Sequence, residues 1–138
     1  PQGFAEKSRL TVEYLSYSFS FFREAKEDCV AVFDKAKANG WHRMVLAGHS
    51  DLAEIAILCA ADREIIVVGL VDTMTDLSRF AGVKVVASYD DIAGPFDAVV
   101  ITSVTHARES FAKAVERFGP DRVLAPRLLG LTKQGVLR

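Results

Sequence analysis

The chain has 138 residues, of which half are hydrophobic and a quarter are charged, and its formal net charge is −1. This composition is typical of one soluble globular domain, and it argues against a disordered segment. The nearly balanced charge gives the chain no electrostatic footprint for nucleic acid. No apolar run reaches the roughly 18 residues that a membrane-spanning helix needs.

Only two cysteines occur, Cys29 and Cys59, and neither belongs to a Cys-x-x-Cys pair or lies near a histidine cluster. Two isolated cysteines inside apolar helical patterns favour a reducing cytoplasm, with a single disulfide as the alternative. The chain begins Pro1-Gln2-Gly3, without an initiator methionine or a signal peptide. Such a start is typical of a cut inside a longer protein. We therefore expect a cytoplasmic protein.

Residues 4 to 39 carry one long helical pattern, which ends at Asn39-Gly40 because glycine readily takes the left-handed conformation after a helix. Apolar side chains recur in it every three or four residues, as in a heptad-like seam. A second apolar row makes this face broader than a two-stranded coiled coil buries, and phenylalanines on such a face avoid water. We predict that the helix self-associates into a dimer or tetramer. The residues expected at the interface are Leu15, Phe19, Phe22 and Phe33.

After Gly40, short β-rich runs alternate with helical ones. Strands are predicted at Arg43–Ala47, Glu64–Val71, Val83–Ala87, Asp97–Thr102 and Arg122–Ala125. Helices are predicted at Ser50–Ala61, in a short stretch near Thr75–Phe80, and at His106–Phe118. Buried strands separated by helices indicate an α/β fold. We expect a Rossmann-like, doubly wound parallel sheet of five strands in the order 3-2-1-4-5.

The predicted elements divide the chain into three parts. Residues 1–40 form the long helix, and residues 41–127 form the Rossmann-like domain. Residues 128–138 show no clear period, so we expect them to form a frayed tail.

The first predicted strand runs into Gly48-His49-Ser50-Asp51-Leu52-Ala53, a turn and helix start where dinucleotide-binding folds hold phosphate. Against the G-x-G-x-x-G/A fingerprint, Gly48 and Ala53 fit, whereas Ser50 replaces the second glycine. Asp51 adds an acid to the first helical turn, where it offsets the helix dipole that attracts anions. The segment is therefore either a weakened phosphate loop or a tight first turn with Ser50 as its N-cap.

Two more strand ends meet the same edge of the predicted sheet. Asp72 follows the second strand, 24 residues after Gly48, near the offset of the acid that binds ribose hydroxyls. The alternative for Asp72 is a turn-capping role. The fourth strand ends at Thr102 and Ser103, whose hydroxyls suit a polar ligand or a helix cap. Ligands bind outside the carboxyl ends of the strands that flank the switch point.

We therefore expect a nucleotide or a nucleotide sugar at this edge. The expected ligand-binding residues are Gly48, His49, Ser50, Asp51, Asp72, Thr102 and Ser103. His106 also falls at this edge, and both it and His49 could donate to a ligand. The sequence has no pairing of a nucleophile with a base, no paired carboxylates in one motif and no set with metal-ligand spacing. We predict no catalytic residue and no metal site.

Several segments resemble a known family. The start, Pro1-Gln2-Gly3-Phe4-Ala5-Glu6-Lys7, resembles the segment after the wing in winged-helix regulators of the MarR type, particularly the exopolysaccharide-associated ones. The segments Gly48–Glu54, Val68–Asp72 and Phe96–Ser103 resemble the Rossmann-like C-terminal domain of some of those regulators. The resemblance implies a cytoplasmic transcription factor, represented here by its helix and its ligand-sensing domain. Its implied partners are a second copy and a small-molecule ligand, with DNA bound only through a winged helix outside this chain and no membrane.

Two other functions stay open. Similar strings occur in the nucleotide-sugar-binding N-terminal domains of sugar acyltransferases, which would require hexapeptide repeats after residue 138 and leave the N-terminal helix unexplained. The other is an NAD-binding oxidoreductase fragment, which needs a substrate domain that 138 residues do not hold.

Overall fold

The computed structural model describes residues 2–131, with side chains from residue 18 onward. Within this range the protein is α/β, broadly Rossmann-like, and its mostly parallel sheet has helices on both faces. The helices are α1 (Gln2–Ala38), α2 (Asp51–Asp62) and α3 (Ala107–Phe118). The strands are β1 (Arg43–Ala47), β2 (Ile66–Val71), β3 (Arg79–Phe80), β4 (Val83–Val86), β5 (Ala98–Ile101) and β6 (Val123–Leu124). The predicted α/β class is confirmed.

The described sheet has the order β3-β4-β2-β1-β5-β6, so it contains six strands and not the predicted five. The additional strand, β3, pairs antiparallel with β4, whereas the other neighbours in this range are parallel. The prediction of a short helix near Thr75–Phe80 is wrong, because this stretch ends in strand β3. Both Ala81 and Gly82 have positive φ, 49° and 83°, as in a type I′ turn, and this turn folds β3 back onto β4.

The core has two layers because neighbouring residues of a strand point to opposite faces. Met44 and Leu46 of β1 belong to the cluster under α1 and α2. Val45 and Ala47 of the same strand belong to the cluster under α3. The continuous apolar run of β1 is therefore explained by burial on both faces, as the sequence pattern predicts for a central parallel strand.

The C-terminal half of α1 packs against α2 and the sheet, so the broad apolar face of α1 is partly covered by its own domain. Its buried side chains are Ala25, Cys29, Val32, Phe33 and Ala36. Phe33 has no exposed surface, which corrects its assignment to an interface between copies. Phe19 and Phe22 are 62% and 48% exposed. Leu15 lies outside the residues whose side chains the structure describes.

Cys29 and Cys59 are both buried and free, on α1 and α2 respectively. Burial raises the pKa of the Cys29 thiol to about 12. Burial also raises the pKa of Cys59, against a smaller opposing effect of Arg63. Both side chains therefore stay neutral thiols within the core, as small apolar groups.

The first residues of the predicted frayed tail are ordered against the core. Residues Arg127–Leu129 form a 3₁₀ turn, and Leu128 and Leu129 pack on the buried clusters. The main-chain N–H of Leu128 donates to the Asp28 carboxylate at 2.8 Å, which fastens this segment to α1. The expectation of fraying is wrong for this part because its leucines cover apolar surface. The rest of the predicted tail, residues 132–138, lies outside the described residues.

A carboxylate joins β1 and β5 at the amino edge of the sheet. The Asp97 carboxylate accepts hydrogen bonds from the main-chain N–H groups of His42, at 2.9 Å, and Arg43, at 3.1 Å. These two bonds hold the pKa of Asp97 below its ordinary value, because they stabilise the ionised form.

Within residues 2–131, no helix combines the length and apolarity needed to cross a bilayer.

Candidate functional site

A cavity of about 600 Å³ opens at the carboxyl edge of the sheet, where β1, β2 and β5 end. Ala47, Gly48 and Ser103 belong to its lining at the ends of β1 and β5. The loops that follow β2 and β4 line other parts of it, and α3 contributes a row of side chains. The cavity therefore lies at the switch point where the sequence analysis expects a ligand.

Gly48 is required by the packing of two loops. Its φ is +116°, and a Cβ atom at this position would lie 2.4 Å from Ser103 Cβ and 2.5 Å from Ser103 Cα. Real Cβ atoms do not approach other carbon atoms so closely, and main-chain atoms cannot move aside as a flexible side chain can. The turn after β1 therefore touches the chain after β5 directly, with no room for a side chain between them.

The hydroxyls of Ser50 and Thr102 reinforce this contact. Ser50 Oγ accepts from the N–H of Ala53 at 3.2 Å, as an N-cap of α2, and donates to the carbonyl of Thr102 at 2.6 Å. Thr102 is fully buried, and its Oγ1 donates to the carbonyl of Gly48 at 2.6 Å. The described lining of the cavity includes neither residue. The structure thus gives Ser50 the capping role that the sequence left open.

Asp72 lines the cavity, and both of its carboxylate oxygens bind main-chain donors. Oδ2 accepts from the N–H of His49 at 2.7 Å, and Oδ1 accepts from the N–H of Met74 at 2.6 Å. The second bond is the turn cap that sequence reasoning kept as an alternative. The first bond places a carboxylate on an N–H of the turn between β1 and α2, the turn that binds phosphate in dinucleotide-binding folds.

The remaining predicted residues divide between the cavity and its surroundings. Ser103 lines the cavity although it is only 8% exposed, and its Oγ accepts from the N–H of His106 at 3.2 Å. His49 also lines the cavity, and its ring meets Phe80 of β3 edge-on, with 4.4 Å between centroids. Asp51 is exposed in the first turn of α2, outside the described lining. The structure thus brings together four predicted residues at the cavity: Gly48, His49, Asp72 and Ser103.

Sequence reasoning placed His106 at this edge of the sheet but missed the polar row along α3 that begins with it. Its members are His106, Glu109, Ser110, Lys113 and Arg117, and all of them line the cavity. Their spacing of three and four residues places them on one helix face, opposite to the apolar stripe that identified the helix. The sequence does indicate this row, because its members are the polar residues on the face of the helix opposite to the apolar stripe.

Arg117 is the last residue of this row. Its guanidinium forms an ion pair with Asp90 and lies 5.7 Å from the ring centroid of Tyr89 and 5.5 Å from that of Phe118. Burial raises the pKa of Tyr89 to about 12, so Tyr89 is a neutral phenol in the lining. Arg117 therefore joins α3 to the loop after β4 across the cavity.

Comparison with family models, curated proteins and solved structures finds no match for this chain. Among the residues that the structure describes, no group of three or more His, Cys, Asp or Glu side chains is placed to hold a metal ion. The fold and the site themselves therefore carry the functional argument. They define an α/β domain with a polar cavity at the carboxyl edge of its sheet.

The contact of Gly48 with Ser103 predicts a large stability loss for Gly48→Ala. We expect the free energy of unfolding to fall by about 3 kcal/mol or more, because the added methyl group meets main-chain atoms and also strains a positive φ. Gly82→Ala is the matched control, since Gly82 also has positive φ but has open space around its Cβ position. That variant should lose only about 1–2 kcal/mol. Equal losses in chemical denaturation would contradict the packing role.

Proposed function

We propose that this chain is a non-catalytic, ligand-sensing domain of a transcriptional regulator. It binds a small nucleotide-like ligand in the cavity at the carboxyl edge and self-associates through α1. The observation that carries the ligand part is the cavity itself. Its volume of about 600 Å³ falls in the range of small-molecule sites, and it lies at the switch point between β1 and β5.

The chemistry of the lining supports a hydroxyl-bearing ligand. Each oxygen of the Asp72 carboxylate has two acceptor positions, so each keeps one after binding its main-chain donor. Ser103 and Thr105 add hydroxyls on the opposite strand end. Met74, 77% exposed, and Ala87 offer apolar surface against which a flat ring packs. This mixture suits a ribose or another sugar attached to a ring.

The absence of a catalytic role is proposed from how the polar groups are used. The Ser50 and Thr102 hydroxyls bind main-chain carbonyls, and both residues lie outside the described lining of the cavity. A nucleophile or a general base needs its reactive atom directed at the substrate. These groups instead fix the shape of the loops around the cavity, which is the requirement of a binding site.

The regulator part of the proposal rests on the family resemblance and on α1. A helix of 37 residues is about 55 Å long, and its own domain packs on it only from Phe21 onward among the described side chains. Phe19 lies exposed just before that region, and Phe22 lies exposed at its start. A helix that packs on a ligand-binding domain at one end and on a second copy at the other couples the two events. Such coupling is what an attached DNA-binding domain requires.

The ligand site is tested by thermal shift with adenosine, AMP, UDP-glucose, NAD⁺ and coenzyme A. At saturating concentration we expect at least one of them to raise Tm by a few degrees, because a ligand that binds only the folded state stabilises it. Ser110→Trp should abolish this increase, since Ser110 lines the cavity and the indole would fill it. Ala112→Trp, at an exposed α3 position outside the described lining, should preserve it. The cavity assignment fails if no compound shifts Tm or if Ser110→Trp leaves the shift intact.

Self-association is tested by analytical ultracentrifugation at micromolar concentration. The unmodified chain should sediment as a dimer or tetramer, and Phe19→Asp combined with Phe22→Asp should make it monomeric while the domain keeps a cooperative melting transition. The matched control combines Ser20→Asp with Arg23→Gln, which lowers the charge equally at exposed positions one residue further around the helix. A monomeric unmodified chain would remove the basis for an interface on α1.

A further inference from the structure

The turn between β1 and α2 is a poor place for the negative group of a ligand. The N–H of His49 in this turn already donates to the Asp72 carboxylate at 2.7 Å. The first turn of α2 adds the acids Asp51 and Glu54, which offset the positive end of the helix dipole. A phosphate at this position would have to displace one carboxylate and lie beside two others.

Two cationic side chains line the cavity from α3 and do not belong to the turn between β1 and α2. Lys113 and Arg117 are one helical turn apart on α3 and both line the cavity, so their Cβ atoms are roughly 5–6 Å apart. Within the described part of the chain, Lys113 makes no ion pair. Glu109 lies one turn before Lys113 in the same row, so the anion-binding end of the row is the end of Lys113 and Arg117.

We infer that the cavity binds a phosphate monoester of a hydroxyl-bearing small molecule, with the phosphate held by Lys113 and Arg117 and the hydroxyls by Asp72. This inference rests on the proposed ligand-binding function and specifies its ligand class. A phosphate monoester carries a charge of about −1.5 to −2 at neutral pH, which two cations balance. Its oxygens also accept the paired N–H groups of a guanidinium. A dinucleotide whose diphosphate needs the turn before α2 is disfavoured.

Arg117 is available for this role although it pairs with Asp90. The two side chains are 45% and 74% exposed, and ion pairs in such contact with water are weak. The guanidinium lies against the rings of Tyr89 and Phe118, and both Arg117 and Tyr89 line the cavity. A phosphate in the cavity therefore competes with Asp90 for Arg117. Because Asp90 lies in the 3₁₀ turn Tyr89–Asp91, the competition also transmits ligand binding to the loop after β4.

The test is isothermal titration calorimetry of the whole chain with AMP and adenosine, with glucose 6-phosphate and glucose, and with NAD⁺. For at least one pair, the phosphorylated compound should bind about tenfold more tightly or better than its unphosphorylated partner. Arg117→Gln should remove this advantage. Arg108→Gln is the matched control, because Arg108 is exposed on the same helix outside the described lining, and it should leave the advantage unchanged.

Asp90→Asn is a test whose expected result is a gain of affinity, which misfolding cannot produce. Removing the competing carboxylate should increase the affinity for the phosphorylated compound and leave that for its unphosphorylated partner unchanged. Three results would each overturn the inference while leaving a ligand site in place. They are equal affinities within both pairs, equal effects of Arg117→Gln and Arg108→Gln, and tighter binding of NAD⁺ than AMP without dependence on Arg117. Binding of none of the five compounds would overturn the proposed function as well. AMP and glucose 6-phosphate distinguish a nucleotide from a sugar phosphate.

Discussion

The close approach of Gly48 to Ser103 is the constraint on which the carboxyl edge of the sheet depends. With no side chain between them, the turn after β1 lies directly against the chain after β5. The Thr102 hydroxyl binds the Gly48 carbonyl, and the Ser50 hydroxyl binds the Thr102 carbonyl, so short hydrogen bonds hold both sides of the contact. The positions of α2 and α3 follow from it, because each helix begins within a few residues of this junction.

The close packing at the carboxyl edge also changes which groups there are free to bind a ligand. A glycine-rich turn at a helix N-terminus ordinarily offers free N–H groups to a phosphate. Here the Asp72 carboxylate reaches that turn and takes the N–H of His49 for itself. The fold keeps a cavity at the switch point, but its cationic side chains come from α3. The position of the cavity is therefore a property of the fold, whereas its ligand preference depends on a few side chains around it.

The sequence predicts elements well where one local signal dominates. β1 and β5 are short apolar runs between turns, and α3 has a clear apolar stripe and a glycine stop. Tertiary context decides the rest. The sequence pattern does not predict β3, because two residues are too few to show an alternation of apolar and polar side chains. The turn at Ala81 and Gly82 is what places these residues beside β4. Phe22 and Phe33 look alike in the helical pattern, yet only Phe33 is buried, because packing on α2 determines which part of α1 is covered.

The central claim is that the turn between β1 and α2 is closed by Asp72 and that α3 provides the charged contacts of the ligand. An amide NMR titration with AMP tests it most directly, because it reports on both walls of the cavity at once. The account predicts that the largest shifts fall in residues 105–117, while the His49 amide keeps its bond to Asp72 and stays protected from hydrogen exchange. Largest shifts in residues 49–52, with exposure of the His49 amide, would contradict it.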